Sequence, residues 1–163
     1  MSYVISGLDP KQFAHLFGES NEALAAQHIA RMTVDGPAFP DRITLVDLPL
    51  GKSVLLLNYE HQPAATPYQS AHAIFVVEDR EAKRAEHIDD IPAVMKKRPI
   101  SLRAFDSDGN MLDAVLSEGT NLEPHIARMF EDPKVAYLHA HYAIRGCYAA
   151  RIDRYDTSSA TVF

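Results

Sequence analysis

The sequence predicts an α+β fold: a single compact domain on a mostly antiparallel β-sheet, with a few short helices. Three observations carry this. Most apolar runs have strand length and are separated by short Gly-, Pro- and Asp-containing connections. Only one segment has a clear helical stripe. The regular strand–helix alternation of a doubly wound parallel sheet is missing. With 163 residues, 47% of them hydrophobic, the chain has material for one core. No repeat, low-complexity tract or Gly/Ser linker divides it, so the domain is read as 1–163, its last few residues forming a disordered tail.

Taken in order, YVISGL alternates like a short strand, and Asp9 before Pro10 is an N-cap and first-turn proline for a helix through Phe13, Leu16 and Phe17. Ser20 caps a second short helix carrying Leu24, Ala25 and Ile29, which leads into the strand-like ARMTVD. Residues 43–47 read as a further strand, and KSVLLLNYE as a buried one after the turn at Pro49 and Gly51. A Pro-containing loop leads to a strand from residue 70 to 77, on which Ser70, His72, Ile74 and Val76 share a face. Asp89 or Asp90 with Pro92 starts a short helix that ends in Lys96, Lys97 and Arg98. The segments SLRAFD and MLDAVL flank DSDGN as a β-hairpin. Thr120 and Glu123 have the spacing of a capping box for a helix over 121–132 with the stripe Leu122, Ile126, Met129 and Phe130. After Pro133, VAYLHAHYA and GCYAARIDRY form two strands joined by a tight turn around residues 144–146.

The net charge of −6 speaks against a nucleic-acid binder, which needs a basic surface for phosphates. No apolar run approaches a membrane span, so no membrane partner is expected. One cysteine and no secretory leader point to the cytoplasm.

Candidate chemistry concentrates in two polar blocks on otherwise apolar strands. In the last hairpin His139 and His141 are two apart, so they point to one face and lie roughly 6–7 Å apart along the strand. Such a pair can ligate zinc or another first-row metal, with His72, His61, Glu60 or Cys147 as further ligands. The fuller signatures H-E-x-x-H and C-x-x-C are absent, and polar satisfaction within the sheet is the blander explanation, so no residue is assigned to a metal and the cofactor stays unknown. Cys147 near Arg145 and the histidines is a candidate nucleophile, though a lone cysteine in a strand also serves as a small buried hydrophobe. Arg103 sits among apolar neighbours, where a guanidinium needs a carboxylate or a bound anion. Asp106, Asp113 and Asp153 are available as structural partners for Arg103, Arg145 and Arg151.

The leading reading is a site for a small anionic ligand, open as to catalysis. His139 or His141, with His72, supplies acid/base chemistry, Cys147 is nucleophile or ligand, Arg103 and Arg145 hold the anion, and Asn58, Tyr59, Glu60, His61 and Tyr68 complete the pocket. A metal-binding protein using the His-x-His pair, and a non-catalytic interaction module working as a homodimer, are the alternatives.

The segments NYEHQP (58–63), PYQSAHAIFV (67–76), SLRAFDSDGNML (101–112) and AYLHAHYAIRGCYAARID (136–153) together resemble a bacterial family, the domain of unknown function 1203. The resemblance runs through nearly the whole chain and implies a small bacterial cytoplasmic protein. It implies no particular activity, cofactor or partner.

Overall fold

The connections after residues 62, 105 and 142 are too short for a crossover helix, so the strands they join run antiparallel. A computed structural model of the chain describes residues 1–160, so the tail expected beyond them lies outside the described residues. In chain order the elements are β1 (Ser2–Ser6), α1 (Asn21–Ala25), β2 (Ala30–Thr33), β3 (Ser53–Gln62), β4 (Ser70–Val77), β5 (Glu86–Ile88), α2 (Ala93–Lys96), β6 (Pro99–Phe105), β7 (Met111–Glu118), α3 (Leu122–Glu131), β8 (Tyr137–Tyr142) and β9 (Cys147–Tyr155). They make a six-stranded sheet, β5-β1-β9-β8-β6-β7, and a three-stranded sheet, β2-β3-β4. Every strand pair in both sheets is antiparallel.

Two apolar cores flank the larger sheet. On one side Leu122, Ile126, Met129 and Phe130 of α3 pack on Ile100, Leu102, Leu138 and Ile152, as the helical stripe dictates. On the other, Val54, Leu55, Leu57, Ile74 and Val76 of the smaller sheet join Phe13, Leu16 and Phe17 from the N-terminal turns. The face of β8 that carries the histidines meets β3 and β4, which sets the site between the two sheets. No helix among the described residues is long and apolar enough to cross a membrane.

Several local expectations need correction. Asp9 does accept a hydrogen bond from Lys11 N–H, but the chain makes two short 3-10 turns, at Pro10–Gln12 and Ala14–Leu16, in place of one helix. The capping box of Thr120 and Glu123 does not form, because a 3-10 turn at Gly119–Asn121 runs straight into α3 and leaves Asn121 at the N-cap without a side-chain bond. Residues 43–47 are a loop. Asp41 holds it: one carboxylate oxygen accepts from Val77 N–H at 2.8 Å and the other from Thr44 N–H at 2.8 Å, while Leu45 takes a left-handed φ of 52°.

The β6–β7 hairpin, which carries Arg103, closes as the DSDGN segment predicts. Asp106 accepts from the N–H groups of Asp108 and Asn110 at 2.9 Å each, and Gly109 sits at φ +86°. A Cβ there would lie 2.4 Å from that of Ala64, so the loop joining β3 to β4 rests on this turn. Thr66 also donates to Gly109 O at 3.2 Å. Gly109→Ala is expected to cost about 2 kcal/mol through its left-handed backbone and this clash. Gly36→Ala, with open space around the added methyl, should change stability by less than about 0.5 kcal/mol. Urea unfolding of the two variants checks the pair.

Candidate functional site

Two irregular register points build the site. In β8, alternation sends His139 and His141 to the same face, where β6 sets Arg103 opposite His139 and Ser101 opposite His141. β9 sets Arg151 opposite His139, then slips between Ala140 and His141 so that Tyr148 faces His141. In β3 the register shifts between Tyr59 and Gln62, and the consecutive residues His61 and Gln62 are both buried, which regular alternation forbids. His72 stands opposite Tyr59 on β4 and meets His61.

The result is four imidazoles in one cluster, with His61 meeting the other three. His61 and His72 lie nearly parallel, at 11° with ring centres 5.0 Å apart, and share one proton between His61 Nε2 and His72 Nδ1 at 2.8 Å. Ser70 Oγ lies 3.3 Å from the same Nε2. His61 also stacks on Tyr148 and meets the edges of His141 at 4.8 Å and His139 at 5.8 Å. His141 is fully buried, and its Nδ1–H donates to Gly146 O at 2.9 Å. That bond fixes the tautomer, so Nε2 carries the lone pair, and Nε2 is buried with no hydrogen-bond partner among the described residues. Gly146, at φ +78°, makes the turn that brings this carbonyl back to β8.

Burial disfavours the charged form of each ring. It depresses His61 to about 4, with His72 and Arg103 adding to the effect. His139 falls to about 3, through burial first and then His61, Arg151 and Arg103. His141 falls to about 2, again through burial, with the Gly146 hydrogen bond opposing it. His72 is lowered by burial and by Arg103. All four are therefore neutral at pH 7, and Arg103 acts on every one. Arg103 itself donates only to Ser101 Oγ, at 3.1 Å, and forms no ion pair with a carboxylate among the described residues.

One ring nitrogen from each of His61, His72 and His141 falls within 4.8 Å of the others. Tetrahedral Zn–N bonds of about 2.0–2.1 Å place ligand nitrogens roughly 3.3 Å apart. The trio thus needs side-chain adjustments of about an ångström or so to close on an ion. Neutral imidazoles are the required protonation state, and a ring N–H held by a backbone carbonyl is the usual support of a metal-ligating histidine.

Of the residues singled out in the sequence, His61, His72, His139, His141 and Arg103 come together, and Tyr59 touches the group through Tyr148 at 6.0 Å. Asn58 and Glu60 are exposed on β3 and line a separate shallow cleft with Gln12 and Phe13. Tyr68 is 42% exposed on the β3–β4 loop and walls no part of the cluster. Arg145 is exposed in the last turn. Cys147 pairs with Tyr142 across the hairpin, on the residue that alternates away from His141, and takes a hydrogen bond from Arg42 at 3.2 Å. The expected cysteine–histidine pair is therefore not formed: strand register points the thiol to a different face. Arg151 does find its structural partner, Asp153, at 2.9 Å, whereas Asp106 is used up in its own turn and leaves Arg103 free of it. Gln62, which donates to Tyr137 Oη at 2.8 Å, and Tyr148 border the cluster without a sequence signal, since both depend on the bulges.

The depressed histidine pKa values have a measurable consequence. Below pH 6.5 the unfolded chain binds protons that the native chain refuses, so stability rises with pH across this window and is lost on acidification. The loss begins as pH falls through roughly 6.5 and continues towards the folded values of about 4, 3 and 2. Unfolding free energies from urea titration should be level above pH 7 and fall from pH 7 to 5, by up to about 1.4 kcal/mol per pH unit for each buried histidine. His139→Gln should flatten that slope by one proton, and an unchanged slope would show that the ring is not buried neutral.

No curated protein and no solved structure matches the chain. A family model does match, over residues 38–154, and that span contains every histidine of the cluster together with Arg103, Gly146 and Cys147. The chain belongs to DUF1203, a family of proteins of unknown function.

Proposed function

We propose that this chain is a metal-binding protein in which His61, His72 and His141 hold a first-row divalent ion and Arg103 steers a small anion to its open position. The observation that carries this reading is His141 Nε2, a fully buried lone pair with its tautomer locked, on a residue with one ring nitrogen within 4.8 Å of a ring nitrogen on each of His61 and His72. Imidazole donors suit zinc, copper, nickel or iron far better than calcium or magnesium. Three neutral ligands leave the ion's charge uncompensated, and no carboxylate is among the charges acting on these rings, so an anion completes the centre. A centre of this kind can lower the pKa of a bound water or polarise a bound oxyanion. His139, beside the trio with Nδ1 unpartnered, is the group to exchange protons with that ligand. Within this reading the chain works in the bacterial cytoplasm, where Cys147 stays a thiol.

A second reading has one observation in its favour. The 2.8 Å hydrogen bond between His61 and His72 is a proton-sharing contact shorter than two ligands of one ion adopt, and the same cluster with Arg103 could bind an anion directly, without metal. Metal analysis separates the two. Tag-free protein, loaded with zinc and desalted, should retain about one equivalent, and His61→Ala or His141→Ala should weaken zinc binding by at least about 100-fold, beyond the loss of an outer-shell partner alone. His139→Gln should retain the metal. Folded wild-type protein that holds no zinc, copper, nickel or cobalt at stoichiometric level, yet binds phosphate or acetate in a manner that requires Arg103, would replace the first reading with the second.

A further inference from the structure

The hairpin that carries the histidines has a second cavity beside it, of about 550 Å³, within the size range of small-molecule sites. Leu56, Phe75 and Ile144 give it apolar walls, Arg42, Arg98 and Arg145 give it positive charge, and no Asp or Glu lines it. Of these cations Arg98 is neutralised by Asp47 at 2.6 Å. Arg42 has no such contact. It is 1% exposed and its guanidinium donates to the carbonyls of Tyr148 and Pro40 and to Cys147 Sγ, while the adjacent Asp41 carboxylate, bonded to Thr44 and Val77, acts on it only at longer range. A buried guanidinium without a carboxylate partner is costly.

A second uncompensated group lines the same cavity. Tyr142 is 6% exposed, its ring lies 5.0 Å from the Arg42 guanidinium and 5.3 Å from that of Arg98, and its hydroxyl has no hydrogen-bond partner among the described residues. An orphaned buried hydroxyl carries a desolvation penalty that a ligand oxygen would remove. One anionic oxygen pair reaching Arg42 and Tyr142 would offset both costs, with Arg145, exposed and in no ion pair among the described residues, adding attraction on approach. Three of the five Arg42 N–H donors are engaged, so the two left over and one hydroxyl match a single carboxylate, and the apolar walls suit a hydrocarbon body.

We propose that this cavity is a binding site for a monocarboxylate with an apolar body, its headgroup held by Arg42 and the Tyr142 hydroxyl and its chain lying over Leu56, Phe75 and Ile144. His72 lines this cavity as well as belonging to the cluster, so the ligand lies next to the histidine site, yet its recognition uses none of the other cluster residues. The partly buried thiol of Cys147 lies in the same wall and reports occupancy.

The test is calorimetric titration of octanoate into metal-free protein, with octanamide and octyl phosphate as comparisons. Octanoate should bind at least tenfold more tightly than either, and saturation with it should slow alkylation of Cys147 by iodoacetamide severalfold. Tyr142→Phe should weaken octanoate by fivefold or more while leaving the protein as stable as wild type or more so, a combination that a purely structural hydroxyl would not give. Ala73→Trp, which fills the cavity from an exposed position on β4, should abolish binding and leave the zinc content unchanged. Octanamide binding as well as octanoate, tighter binding of octyl phosphate, or full binding by Ala73→Trp would each overturn the proposal. Because the readout is taken without metal, its failure is distinct from failure of the histidine centre.

Discussion

Enclosing four imidazoles between two sheets forces them to stay neutral, and most of the site's geometry follows from that requirement. A charged ring at His139 or His141 would have no carboxylate to answer it and would lie close to Arg103. Neutral rings, however, each carry one donor and one acceptor, and the structure meets those needs only in part. His61 Nε2 and His72 Nδ1 satisfy each other, His141 is satisfied at Nδ1 by Gly146, and the second ring nitrogen of His61, Nδ1 of His139 and Nε2 of His141 have no partner among the described residues. Native interiors leave few such atoms unpaired. Three of them in one cluster are the basis of the proposal that a ligand binds there.

The backbone arranges this with two bulges and one turn. Without the slip in β9, Tyr148 would not face His141, and without the one in β3, His61 and Gln62 could not both point inward. Gly146 closes the β8–β9 turn and offers the carbonyl that selects the His141 tautomer. The same turn presents Arg145 and Cys147 to the neighbouring cavity, so one hairpin borders two chemically different environments: neutral imidazole nitrogens on one side, guanidinium groups and apolar walls on the other.

What the sequence revealed depended on whether a feature is local. The β6–β7 hairpin was legible because SDGN has one comfortable geometry, and α3 because its stripe repeats at helical spacing. That His139 and His141 share a face followed from strand alternation alone. Pairings across the chain were not legible. Nothing in NYEHQ shows that His61 is brought inward by a bulge, or that its partners at the centre are His72 and His141, with His139 the neighbour. Cys147 looked close to the histidines because it is close in sequence, and register turned it away. Arg42 gave no signal at all, since its burial depends on a loop ordered by Asp41 that reads as strand in sequence. Membership of DUF1203 describes the chain's kinship and leaves the chemistry to be argued from these side chains.

The central claim is that His61, His72 and His141 are ligands of one metal ion. X-ray absorption at the zinc edge of the loaded protein tests it most directly, because it identifies the donor atoms. The account predicts three imidazole shells with Zn–N of about 2.0–2.1 Å, one further light-atom ligand, and no sulfur. A sulfur scatterer at about 2.3 Å, which would bring Cys147 into the centre, or a shell of oxygens without imidazole scattering, would contradict it.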